Sequence, residues 1–401
     1  MQSQTIPSGD DTANQLVISL GLLWLAGTAM RITILAVPPL IPLIHADLHM
    51  SETQVGFLVG LPLLVFAVAA VPGSLLIARL GVPTTMLLGL AMTGLAAAGR
   101  GAAGTIWQLC AATALMGFGV AIMQPALPAL VREWLPQRVA LGTATFTNGM
   151  LAAVMLAPAL TYPLVLPLVD NSWRLALVVW AVPVFVTTVA FVFFGPRRRA
   201  SHAGIAAVPL RWWPDWTNPL TWLLGLTFGC NNAAYFGANA FLPDYLASQG
   251  QADLIGAALG WLNAAQFVAS LALLLVAHRL GRNALPYLLF GPLTGVAFAG
   301  IVLTSGYWIV ACAAVVGFAT AVTFAVILAL PPFLSRPGDA HRTAAGMFTI
   351  SYTCAVVIPT ISGALWDLTG RPWVAFVPLG LCAVALTVLG WRLSRYEPVT
   401  H

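Results

Sequence analysis

Charge is what this chain has least of. Asp, Glu, Lys and Arg make up 7% of its 401 residues, and lysine is absent, so that all 17 basic residues are arginine. A surface this poor in charge excludes a soluble domain. With 60% hydrophobic residues and a mean hydropathy of +0.91, the chain reads as an integral membrane protein. Its formal charge of +5 does not call for nucleic acid, because membrane proteins gather basic residues in cytoplasmic loops. Cys-x-x-Cys spacing is also missing: Cys110, Cys230, Cys312, Cys354 and Cys382 all sit in apolar runs, as small buried hydrophobes do. The N-terminus "MQSQTIPSGDDTANQ" has no basic n-region, so it reads as a polar tail rather than a signal peptide.

Histidine and carboxylate clusters are lacking too. His45, His49, His202, His278, His341 and His401 are peripheral, which speaks against an enzyme, a metal or a cofactor. His45 and His49, four apart beside Asp47, read as a solvated span end rather than a metal site.

What is there is long apolar runs. A span needs about 20 apolar residues. Punctuation by Pro, Gly and Arg predicts twelve, at 15–43, 52–78, 83–103, 106–131, 139–167, 173–194, 217–246, 254–277, 284–304, 306–334, 344–366 and 373–394. With the N-terminus cytoplasmic, 13 of 17 arginines fall on cytoplasmic loops or tails and only Arg100, Arg174 and Arg371 on the other side. That asymmetry places both termini in the cytoplasm, with a bacterial-type inner membrane as the expected location.

Sliding the chain by about 200 residues exposes a repeat. "ARLG" ending at Gly81 matches "HRLG" ending at Gly281, Gly56 and Gly60 match Gly256 and Gly260, Gly117-Phe118 matches Gly317-Phe318, and Trp173 matches Trp373. The expected architecture is all-α: two pseudo-symmetric six-helix bundles, residues 1–194 and 217–401, joined by a cytoplasmic linker over 195–216. This doubling resembles the major facilitator superfamily, whose halves rock about a site at their interface near the bilayer midplane. The loop motif of that superfamily is partly kept, in Arg79 and Gly81 and again in Arg279 and Gly281, with Ala78 and His278 where an Asp is usual.

One arginine belongs to neither membrane face. Arg31 lies inside "GLLWLAGTAMRITILAVPPLIPLI", about 20 Å of helix from His45, too deep to snorkel. A central arginine costs roughly 2.5–3.5 kcal/mol on insertion scales, and all twelve acids fall in tails, loops or predicted span ends. The guanidinium is therefore answered either by carbonyls and amides or by the substrate. The second reading is preferred, because a guanidinium forks onto planar anions.

Residue 231, 200 places on, is an asparagine. Span 7 then carries Asn231, Asn232, Tyr235 and Asn239; span 8 carries Asn263 and Gln266, whose first-half counterparts are Leu63 and Phe66. Such stripes face a cavity or a neighbouring helix, and a cavity is expected. Thr28, Gln124, Asn148, Thr323 and Tyr352 complete the candidate lining.

From Arg31 the chain runs through Pro38-Pro39-Leu40, "ADLHMS", "GFLVGLPLLVF", Arg79 and Gly81. That order resembles the cyanate-permease and nitroimidazole-transporter family within the superfamily. The resemblance implies a secondary transporter, expected to be monomeric in the lipid bilayer, that moves a small cyanate-like anion or carboxylate by alternating access. The alternative is a proton-coupled exporter of drug-like or nitro-aromatic compounds. Against it, the span 4 arginine place holds Thr113, and the span 5 motif of such antiporters shrinks to Ala157-Pro158.

Overall fold

The computed structural model describes residues 9–196, 214–280, 285–335 and 340–396. Within them are twelve long helices and no strand. In chain order these are α1 (Gly9–Leu35), α2 (Glu52–Leu80), α3 (Val82–Gly99), α4 (Ile106–Trp134), α5 (Val139–Leu160), α6 (Trp173–Phe194), α7 (Pro219–Ser248), α8 (Ile255–Leu280), α9 (Leu285–Leu303), α10 (Tyr307–Ala329), α11 (Ala340–Thr369) and α12 (Phe376–Ser394).

Ten stretches of the described residues are long and apolar enough to cross a membrane. The two long helices outside that set are α7 and α8. In α8 most side chains beyond Ala269 lie outside the described ones. In α7 the reason is composition: it carries Asn231, Asn232, Asn239 and Asp244, and from Phe228 to Leu246 only Tyr235 escapes full burial. A helix enclosed by other helices has no need of a lipid-facing surface.

The spans differ from their expected limits mainly at prolines. Span 1 is not one helix. Pro38 and Pro39 have no N–H to give to the carbonyls of Ile34 and Leu35, so α1 ends at Leu35 and a short helix, Ile41–Leu48, continues toward the same membrane face. Span 5 widens into a π turn at Thr161–Val165, just after Pro158.

The helix packing repeats itself. α1 packs on α5 and α6, α2 and α3 pack on α4, and α3 packs on α6. Six helices later the same pairs recur: α7 with α11 and α12, α8 and α9 with α10, and α9 with α12. Two seams join the sets, α2 against α11 and α5 against α8.

The glycines that revealed the sequence repeat lie on these seams. An added Cβ at Gly56 would come within 2.4 Å of the Pro359 carbonyl oxygen, and one at Gly60 within 2.8 Å of Val356 Cα. Gly256 and Gly260 face Tyr162 and Ala159 across the other seam. Hydrogen lets backbones approach where a methyl group would hold them apart.

Arg100 departs from expectation. The sequence puts it at the non-cytoplasmic end of the span 83–103, where a charged side chain is expected to reach water, but its relative exposure is 0%. The cause is the break in α1: the N–H of Val37 bonds to Ile34 rather than to Thr33, leaving the Thr33 carbonyl free. Arg100 Nη2 donates to that carbonyl at 2.8 Å, a cation capping a helix C-terminus. Its Nε and Nη1 have no partner among the described residues. Arg100 borders a cavity of about 20 Å³ lined also by Thr113, Pro62 and Asn239.

Removing the side chain opens a cavity in a packed core, so Arg100→Ala is expected to lower stability by about 2–4 kcal/mol. Arg100→Met keeps the volume and removes a poorly paired buried charge, so it should unfold within about 1 kcal/mol of wild type. Thermal unfolding of the purified variants separates the two effects. An equal loss in both variants would show that the bond to Thr33, not volume, is what Arg100 contributes.

Candidate functional site

Arg31 is the midpoint of the 14–48 stretch that reads as one span. It is half-buried, and among the described residues it makes no hydrogen bond and no ion pair. Tyr235 on α7 and Tyr352 on α11 both lie within its electrostatic reach. A cation on the first helix of one set thus faces two phenols from the other set. Among the described residues no carboxylate joins them.

The Tyr235 hydroxyl donates to Asn263 Oδ1 at 2.6 Å, and Gln266 Nε2 donates to the same oxygen at 3.2 Å. Asn263 Nδ2 in turn donates to Asn239 Oδ1 and to the Leu259 carbonyl, and Asn239 Nδ2 to the Tyr235 carbonyl. This network ties α7 to α8 and fixes the ring of Tyr235. Asn239 and Asn263 are buried, while Tyr235 and Gln266 are half-buried. Tyr352 is half-exposed, and its hydroxyl has no hydrogen bond among the described residues. Its ring stands edge-on to Phe66, centroids 6.2 Å apart, and lies 5.7 Å from Phe348.

Several residues expected to line a cavity are instead spent between helices. Asn231 donates to the Thr320 carbonyl and accepts from the Thr323 hydroxyl, joining α7 to α10. Asn232 donates to Ser351 Oγ at 2.8 Å, joining α7 to α11. Thr28 gives its hydroxyl to the carbonyls of Trp24 and Gly149, where α1 crosses α5. All four residues are buried. A polar stripe inside lipid has two outlets, and here neighbouring helices take one face of it.

Asn148 is exposed and accepts from Trp24 Nε1 at 2.9 Å. Gln124 is half-buried, and no hydrogen bond ties it to Arg31. Of the loop-motif residues, Gly81 closes α2 with φ +80°, a turn conformation that favours glycine, and Arg79 is exposed. The Arg279 side chain and Gly281 lie outside the described residues.

Sequence reasoning missed Trp24, although 24, 28 and 31 share one helical face. It also missed the end of the seam beyond the tyrosines, where His45, Glu52 and Asp244 bring one ligand atom each within 4.8 Å of one another. His45 and His49, read as a solvated span end, do not share Asp47. Asp47 is held by Arg174 and by Trp173 Nε1, and His45 turns to Asp244. Of the five cysteines, all expected to be buried, Cys110, Cys230 and Cys382 are buried and Cys312 and Cys354 half-buried.

Comparison with known proteins supports the same class. The chain is 27% identical over 371 residues to an uncharacterized transporter, YycB, of Bacillus subtilis (strain 168), covering 90% of this chain and 89% of that protein. It is 26% identical to a 2-nitroimidazole transporter of Escherichia coli (strain K12), covering 96% and 97%, and 25% identical to the cyanate transport protein CynX of the same organism, covering 93% and 96%. The crystal structure of a D-xylose-proton symporter superposes with a TM-score of 0.73 at 13% identity, covering 97% of this chain and 99% of that one. These relatives are transporters and not enzymes, and with the apolar helices they identify an integral membrane protein that handles a small molecule. The family model described as Major Facilitator Superfamily matches residues 23–277, and the chain belongs to that family.

Proposed function

We propose that this protein carries a small planar anion across the bacterial inner membrane by alternating access, with the anion held by Arg31 between two six-helix bundles, 1–194 and 217–401. The observation that carries the reading is the unpaired guanidinium: half-buried at mid-span and without a counter-ion among the described residues, it faces Tyr235 and Tyr352 of the other bundle. A buried charge is stable only when something answers it, and a negatively charged substrate does so in each cycle. Cyanate or a small carboxylate fits the fork of the guanidinium, and cyanate also fits the name of one relative.

Orientation follows from the arginine asymmetry. On this reading the seam end bearing Glu52, Asp244 and Asp367 faces outward, and the packing of α2 on α11 there supports a conformation closed on the outer side. A planar nitro-aromatic substrate is the second reading, favoured by the Phe66, Tyr352 and Phe348 rings and by the name of another relative.

A panel of sodium cyanate, formate, nitrate and 2-nitroimidazole in a thermal-shift assay tests the site, since a ligand of the native state raises the melting temperature by mass action. Tyr352→Phe removes one hydroxyl next to the proposed anion and keeps the ring. It is expected to weaken anion binding roughly 10- to 150-fold, the worth of one hydrogen bond to a charged group, about 1.5–3 kcal/mol. It should leave 2-nitroimidazole binding, if any, nearly unchanged. The reverse pattern would favour the aromatic substrate.

A further inference from the structure

The outer end of the seam holds a second chemical constellation. Glu52 opens α2, and Asp244 lies in the last turns of α7; they are 6% and 7% exposed. Between them His45, on the short helix after the α1 break, has its Nδ1 3.0 Å from Asp244 Oδ2 and 3.7 Å from Glu52 Oε1. The other Glu52 oxygen, Oε2, is buried without a hydrogen-bond partner.

Beside them Asp367 of α11 accepts from the N–H groups of Glu52 and Thr53 at 2.8 and 2.9 Å, so its charge is met by the free donors of a helix N-terminus. Tyr162, from the π turn of span 5, also faces Asp244. Asp47 is engaged with Arg174 and lies near His49, away from the cluster.

The charges do not balance without protons. With both carboxylates ionised, even a protonated His45 leaves one buried negative charge uncompensated, and a neutral His45 leaves two. One proton on Glu52 and one on His45 bring the trio to neutrality. The orphaned oxygen of Glu52 is the place for the first, because a carboxyl oxygen with no donor facing it gains most from carrying its own hydrogen.

His45 and Glu52 belong to the first bundle and Asp244 to the second. The trio therefore attracts across the seam when protonated, and its carboxylates repel across it when stripped. We propose that His45, Glu52 and Asp244 form a proton-binding latch that holds the outer ends of the two bundles together when loaded and releases them when its protons leave. This rests on the alternating-access reading, because a latch matters only if the outer seam opens.

Spin labels at Asn171→Cys and Arg371→Cys, exposed positions on the outer ends of the two bundles, would report the opening in nanodiscs, in a background whose native cysteines are replaced. In the wild-type latch the label distance should lengthen as pH rises. An infrared band of a protonated carboxylic acid should fade over the same range. Glu52→Gln, a neutral mimic of the loaded state, is expected to stay short at every pH and to lack the band. His45→Gln is a second probe at a half-exposed position, and it should lose most of the pH response even if Glu52→Gln fails to fold. Full pH response in either variant overturns the latch. A distance that answers sodium cyanate at fixed pH but never pH itself overturns the latch and leaves the carrier standing. A distance fixed under every condition overturns both.

Discussion

Arg31→Gln is expected to abolish the thermal stabilisation that a bound anion gives and to reduce uptake into proteoliposomes to background. Glutamine is nearly as long and stays polar, so helix packing around α1 should survive, and the melting temperature of the ligand-free protein should hold or rise as an unanswered charge is removed. What disappears is the charge-assisted fork. Truncating one partner of a buried, hydrogen-bonded charge pair costs about 2–5 kcal/mol, which is roughly 30-fold to several thousand-fold in affinity.

Arg31→Lys discriminates further. An ammonium keeps the charge but cannot offer two parallel donors, so binding should be intermediate, with formate and nitrate losing more than a near-spherical anion such as chloride. If Arg31→Gln binds the same anions as tightly as wild type, the anion lies elsewhere and the proposed site is wrong. If neither protein responds to any anion while both respond to 2-nitroimidazole, the aromatic reading takes its place.

The architecture was legible because membrane insertion imposes simple rules. Apolar length marks spans, and arginine placement divides the loops. A duplicated chain repeats its close-approach glycines, so that Gly56, Gly60, Gly256 and Gly260 were visible as a pattern before their seams were. Arg31 was legible for a similar reason: within an apolar run, a lone cation has few explanations.

The rest depended on tertiary geometry. Arg100 sits at a helix end and reads as a loop residue, because nothing local announces that a broken helix 67 residues earlier offers it a free carbonyl. The asparagines of α7 are periodic, but periodicity cannot say whether a face meets water or another helix; Asn231 and Asn232 turned out to meet α10 and α11. The trio of His45, Glu52 and Asp244 is assembled across 199 residues, each member an ordinary polar residue at a span end until the fold brings them together.

Gly56→Val should stop transport without abolishing binding, whereas Arg31→Gln should lose both. A Cβ at Gly56 would lie 2.4 Å from the Pro359 carbonyl oxygen and 2.7 Å from its carbon. Both are backbone atoms of α11 and cannot swing aside as a side chain could. The added branches make α2 and α11 unable to meet at this point, raising the outer-closed state by about 3 kcal/mol or more. A shift of that size changes the ratio of closed to open forms by about 100-fold, and a carrier that cannot close outward cannot complete its cycle. Gly56 is about 15 Å of helix from Phe66, where α2 meets Tyr352 beside Arg31, so the anion should still raise the melting temperature.

Gly260→Ala, on the α5–α8 seam, is the control. Its Cβ would meet the Ala159 methyl at 3.2 Å and Ala159 Cα at 3.5 Å, a tight contact that a few tenths of an ångström relieve, so uptake should fall only several-fold. Uptake by Gly56→Val at the wild-type rate would mean that α2 and α11 stay together throughout transport, and the opening would then have to be sought at the α5–α8 seam.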